Sequence, residues 1–165
     1  MATNDFKVVS SGPYSSVPTA KFQTAAGTTA INAGEPVMLT TIGTSVYAAV
    51  MTDAKPVIGT DFWCGLAKSA GTHTSAADGT VEVYLPLPGV VYRGKAKSST
   101  AADTDAEILA LANKRTIIDL TASTYTIDTA AADGATNGLI LTGTGNSANN
   151  SVDFMVSVRA TQLGF

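Results

Sequence analysis

Pro36-Val-Met-Leu-Thr-Thr-Ile-Gly-Thr-Ser-Val-Tyr-Ala-Ala-Val-Met51 holds two apolar runs, Pro36–Ile42 and Ser45–Met51, with only Gly43-Thr44 between them. A two-residue connection that begins with glycine is the economical way to turn one strand back on the next, so the stretch predicts a tight β-hairpin. Thr80-Val-Glu-Val-Tyr-Leu-Pro86 alternates, placing Val81, Val83 and Leu85 on one face and Glu82 and Tyr84 on the other, as a half-buried strand does. Short segments punctuated by Gly, Asp, Asn and Pro continue as Thr116–Leu120, Tyr125–Asp128, Gly138–Thr142 and Ser151–Ala160. That spacing of strands and turns predicts a mostly β domain, a sandwich or a barrel.

Ser151–Ala160 is the longest of these segments and is expected at the centre of a sheet. Val152, Phe154, Val156 and Val158 would point inward, and Asp153, Met155, Ser157 and Arg159 outward. The cluster before it, Gly143-Thr-Gly-Asn-Ser-Ala-Asn-Asn150, reads as an exposed loop. In Val90-Val-Tyr-Arg-Gly-Lys-Ala-Lys97 the period of two puts Arg93, Lys95 and Lys97 on one basic face. Such a face suits an edge strand kept by charge from pairing with other chains, or a contact with an acidic partner surface.

One helix is expected, over about residues 104–114. Thr104-Asp-Ala-Glu107 has the spacing of a capping box, the apolar residues Ile108, Leu109 and Leu111 follow, and Lys114-Arg115 complement the dipole at the far end. Residues 1–20, with two prolines and the serine-rich Ser10–Ser16, read as an N-terminal arm ahead of a single β-domain over 21–165. The arm is either a partly ordered terminus or a segment lying on a neighbouring subunit, anchored by Phe6 and Tyr14. Gly65–Ala70 before Thr80–Val83 weakly echoes Gly138–Gly143 before Ser151–Phe154, which hints at a repeated strand, loop, strand unit.

Composition narrows the function. The 165 residues and 16.7 kDa suit one domain, and charged residues make up 14% against roughly 25% in ordinary soluble proteins. A net charge of −3 gives no overall field for a polyphosphate backbone, so nucleic acid is not an expected partner. No apolar run is long enough to span a membrane, and the first residues have neither the basic start nor the apolar stretch of a leader. The one cysteine, Cys64, has no internal disulfide partner, which fits assembly in a reducing cytoplasm.

Chemistry-bearing motifs are sparse. Cys64 and the one histidine, His73, come without the third orienting group of a nucleophilic site; Cys64 and Trp63 or Phe62 are expected in the core, and His73 in solvent. Two soft ligands are too few for structural zinc. Asp103, Asp105 and Glu107 alternate as calcium ligands can, but helix capping accounts for them better, and no phosphate or dinucleotide glycine loop occurs. The expectation is no enzyme, no cofactor and no metal.

Asn32-Ala-Gly-Glu-Pro-Val-Met38, Val46-Tyr-Ala-Ala-Val50, Phe62-Trp-Cys-Gly-Leu-Ala67, Asp78-Gly-Thr-Val-Glu-Val-Tyr-Leu-Pro86 and Gly89-Val-Val-Tyr92 together resemble the small capsid decoration, or cement, proteins of tailed bacteriophages. The resemblance spans less than half the chain. It implies a β-barrel or β-tulip-like domain on the capsid exterior of the virion, often a homotrimer, that binds the major capsid protein and clamps neighbouring subunits. It implies no active site. Phe6, Tyr14, Arg93, Lys95 and Lys97 are the candidate capsid-contact residues. A rival reading is a carbohydrate- or receptor-binding module of a head fibre or adhesin, using aromatics such as Tyr47, Trp63 or Tyr125.

Overall fold

The computed structural model describes residues 6–161. In chain order the strands are β1 (Lys7–Ser10), β2 (Thr19–Thr24), β3 (Pro36–Ile42), β4 (Ser45–Val50), β5 (Trp63–Ala67), β6 (Gly79–Tyr84), β7 (Val91–Lys95), β8 (Arg115–Thr116), β9 (Ile118–Thr121), β10 (Thr124–Ile127), β11 (Leu139–Asn146) and β12 (Ser151–Val156), and the helix α1 (Asp105–Ala110) lies between β7 and β8. One antiparallel sheet has the order β1-β7-β12-β11-β8, a second β2-β6-β5-β3-β4, and β9 and β10 form a separate hairpin. The fold is mostly β, with a single short α-helix among the described residues, as the strand and turn pattern predicts.

The Pro36–Met51 hairpin forms with Ile42 opposite Ser45, and Gly43 supplies the turn at a φ of +64°. The second sheet curls until its edge strands β2 and β4 touch, giving a half-barrel with its own interior of Ile31, Val37, Ala48, Cys64, Ala67, Val81 and Val83. A larger core fills the space between this half-barrel, the first sheet and the β9–β10 hairpin. β5 is the wall between the two: Trp63 and Leu66 face the larger core, Cys64 and Ala67 the smaller. Side chains of a regular strand alternate, so this three-residue step requires an irregularity. Gly65 provides it at a φ of +150°, where the β3–β5 register slips between Val37 and Met38.

Five aromatic rings tie the three sheets together. Trp63 of β5 lies 5.3 Å from Tyr92 of β7 and 5.6 Å from Phe154 of β12; Phe154 meets Phe6, which in turn meets Tyr125 of β10. The Tyr125 hydroxyl donates to the Met51 carbonyl at 2.7 Å, so burial leaves its polar end satisfied.

Several expectations need correction. The stretch expected as an arm is, from Phe6 onward, part of the domain: Phe6 is buried, residues 7–10 pair with β7, and residues 19–24 pair with β6. Phe6 fits because it lies over Gly94, where a Cβ would sit 2.8 Å from the ring's Cδ1. Residues 1–5 lie outside the described residues. Nor is β7 an edge strand, since it runs between β1 and β12, so charge is not protecting an open edge there.

Gly143–Asn150 is not simply an exposed loop. β11 continues through Asn146 across a bulge between Leu141 and Gly145, and a 3₁₀ turn over Ser147–Asn149 with Asn150 left-handed leads into β12. β12 is central, and Val152, Phe154 and Val156 are buried as expected. Val158 is instead exposed, because the strand ends at Val156 and the chain turns as a 3₁₀ segment over Val158–Ala160.

Both halves of the capping box form at Thr104 and Glu107. The helix nevertheless ends at Ala110. Asn113 takes a φ of +64° and donates its N–H to Leu141 at 2.8 Å, so β11 captures the chain that the helix would have used. Lys114 is thereby drawn away from the helix end, and its ammonium donates to the Thr129 carbonyl. The two segments of the sequence echo each belong to an antiparallel pair, β5–β6 in the half-barrel and β11–β12 in the other sheet.

The β9–β10 turn carries Ala122 and Ser123 at φ values of +48° and +66°. Two left-handed residues define the type I′ hairpin turn, which favours Asn-Gly, and neither Ala nor Ser is comfortable there. Replacing Ala122→Asn and Ser123→Gly together should stabilise the fold by about 1 kcal/mol, raising Tm by roughly 2–4 °C in a thermal melt. An unchanged or lower Tm would mean that the turn is not strained.

Candidate interaction groove

The candidate contact residues come together more closely than their spacing suggests. Phe6, Lys7, Arg93, Lys95 and Lys97 all line an open groove of about 1000 Å³. It is lined by the end of β7 and the start of β1, by Thr124 and Thr126 of β10, by Asp103, and by the Asn146–Ser151 connection, which flanks it as a rim. Two side-chain bonds of Asn150 hold that connection in place: its amide donates to the Ser98 carbonyl, and its oxygen accepts from the Ala102 N–H at 2.9 Å. Tyr14 is elsewhere, half-buried against the larger core.

The basic residues are not equivalent. Arg93 grips Asp153 with two bonds, Nε to Oδ1 at 2.6 Å and Nη2 to Oδ2 at 2.9 Å, and Thr144 donates to the same carboxylate at 2.9 Å. This arrangement explains why Asp153, expected to face outward into solvent, is buried. Lys97 lies past the end of β7 and reaches Asp119 at 2.5 Å and Asp128 at 3.6 Å. Its hydrogen bond to Asp119 raises the ammonium pKa. Burial pushes the Asp119 carboxyl up, but hydrogen bonds from Lys97 and Thr121 outweigh it and hold the group below its usual value. Lys7 and Lys95 are exposed and have no ion-pair partner among the described residues.

Elsewhere the chemistry-bearing residues are spent on structure. Cys64 is buried in the half-barrel, and burial pushes its thiol up to about 12. His73 is not free in solvent: its ring is half-buried, with Nε2 3.3 Å from the Thr28 carbonyl. Glu107 caps the helix, Asp105 accepts from Ser147 at 2.7 Å, and no group of three metal-ligating side chains gathers among the described residues. Of the aromatics considered for sugar stacking, Trp63 and Tyr125 are buried, and Tyr47 is half-buried with its hydroxyl 3.3 Å from Asp78.

No family model, curated protein or solved structure matches the chain. Lys7 and the Asn146–Ser151 rim are parts of the groove that the sequence pattern does not mark. Lys7 joins it only through a register with a strand far along the chain, and the rim looks like any polar turn until Asn150 pins it.

Proposed function

We propose that this chain is a non-enzymatic structural protein that binds the outer surface of a tailed-phage capsid and stabilises contacts between major capsid protein subunits. One observation carries the reading. The motifs that resemble decoration proteins fall consecutively along β3, β4, β5, β6 and the start of β7, so they account for four of the five strands of the curled sheet and its exit into the second sheet.

The remaining chemistry is compatible with that role. Burial in the half-barrel pushes the Cys64 thiol up to about 12, which disfavours the thiolate that a nucleophile needs. Capsid stabilisation asks only for a rigid body with a complementary surface, because a protein that binds the closed shell alone adds its binding free energy to that state. As a homotrimer, the chain would engage several subunits at once and gain through effective concentration. On this reading it assembles in the host cytoplasm and resides on the virion exterior, with neither nucleic acid nor membrane as a partner.

Analytical ultracentrifugation of the purified chain, alone and with undecorated capsids of the cognate phage, tests the proposal. Saturable co-sedimentation is expected, together with a higher thermal failure point of the decorated shells. A chain that stays behind at saturating concentration rules the function out.

A further inference from the structure

We infer that the Lys7, Arg93 and Lys95 face of the groove docks an extended, carboxylate-bearing segment of a partner protein, which under the function proposed above, on which this rests, is a capsid subunit. The register sets Lys7 directly opposite Arg93 on neighbouring antiparallel strands. Like charges in that position repel. Asp153 answers Arg93 alone, since both its oxygens are bonded to the guanidinium and one also to Thr144. That leaves Lys7 without a carboxylate partner among the described residues. Lys95, on the same face, sits opposite Ser151 and is equally without a carboxylate among the described residues.

Spacing and rim chemistry select the occupant. Side chains two apart on a strand repeat every 6.5 Å or so, the spacing of alternate carboxylates in another extended segment, so a glutamate that meets Lys7, opposite Arg93, directs the next alternate glutamate toward Lys95. Short neutral groups of Thr124, Thr126, Asn146 and Asn149 surround them and can bond the backbone of such a segment. A nucleic acid suits the groove less well. The whole chain carries −3, Asp103 lines the wall, and Lys97 is already held by Asp119 and Asp128. The positive field is therefore local and small, enough for a few carboxylates and not for a run of phosphates.

The test uses the full chain, an amide NMR titration and a short acetylated peptide of alternating Thr and Glu, with the Thr and Gln peptide as its neutral counterpart. Binding of the Glu peptide should shift amides of β1, β7 and Asn146–Ser151, and raising NaCl from about 50 to about 300 mM should weaken it several-fold. The double variant Lys7→Glu, Lys95→Glu should lose at least about tenfold in affinity, the milder Lys7→Gln, Lys95→Gln pair less, and Asp103→Asn should bind more tightly. Absence of binding, equal binding of the Gln peptide, shifts confined to other surfaces, or displacement of the peptide by an oligonucleotide at lower concentration would each overturn the inference.

Capsid sedimentation separates the two claims. If wild type and the double Glu variant co-sediment equally, the groove is not the contact, although decoration stands. If the peptide binds the groove while wild type leaves capsids bare, the docking site stands and the capsid is not its partner.

Discussion

Trp63→Ala should destabilise the protein by about 3–5 kcal/mol, as large aromatic truncations in cores do. Domains are typically stable by only about 5–15 kcal/mol, so this one change removes a large share of the total. Trp63 is fully buried, and it is the largest side chain that the half-barrel sends into the core shared with the other sheet, 5.3 Å from Tyr92 and 5.6 Å from Phe154. Truncation leaves a void between the two five-stranded sheets, whose antiparallel ladders cannot collapse into it without losing register. The indole N–H also donates to the Gly65 carbonyl, so the same change removes a buried hydrogen bond. Urea unfolding followed by far-ultraviolet circular dichroism measures the loss, since the variant lacks the chain's one tryptophan. Trp63→Phe keeps most of the volume and should cost markedly less. A loss under about 1.5 kcal/mol for the alanine variant would mean that the site repacks and that Trp63 does not join the two halves.

What could be read from the chain, and what could not, follows the range over which each feature is determined. The Pro36–Met51 hairpin was legible because both strands and their turn lie within sixteen consecutive residues. The helix start was legible for the same reason, as Thr104 and Glu107 cap each other locally. Its end was not, because what stops it is Leu141, an acceptor from a distant strand. The inward residues of β12 followed from a period of two, yet Asp153 on its other face is buried too, through a guanidinium 60 residues away. Local alternation tells which side chains share a face, not whether that face meets water.

The groove divides along the same line. Placing Arg93 and Lys95 on one face needed only strand periodicity, and both do line the groove. The acids that neutralise Arg93 and Lys97 come from β12, β9 and the residue after β10, and sequence cannot assign such pairs without an alignment of strands. Phe6, expected to anchor an arm on a neighbouring subunit, is buried in this chain's own core. Its partners are this chain's own Phe154 and Tyr125, because a strand as short as β1 leaves no periodic signal that it belongs to the sheet.

Gly65→Ala should be as damaging as loss of the tryptophan beside it, at least about 3 kcal/mol or outright failure to fold, although it adds a single methyl group. Two independent costs combine. At a φ of +150° only glycine is at ease, so any side chain strains the backbone. A Cβ there would also overlap the Tyr84 carbonyl oxygen on β6 and lie 3.1 Å from its carbon and 3.3 Å from Val83 Cβ. Backbone of a paired strand cannot yield as a flexible side chain can. If the strand straightens to escape, the step that sends Trp63 and Leu66 to one core and Cys64 and Ala67 to the other is lost, and one set must point the wrong way. Gly43→Ala is the control: it has a φ of +64° but nothing within 4 Å of the added atom, so it should cost only the conformational strain of about 1–2 kcal/mol. Equal losses for the two variants in urea unfolding would reduce Gly65 to a matter of backbone freedom; a much larger loss at Gly65 makes its close approach to β6 the feature on which the two-core arrangement depends.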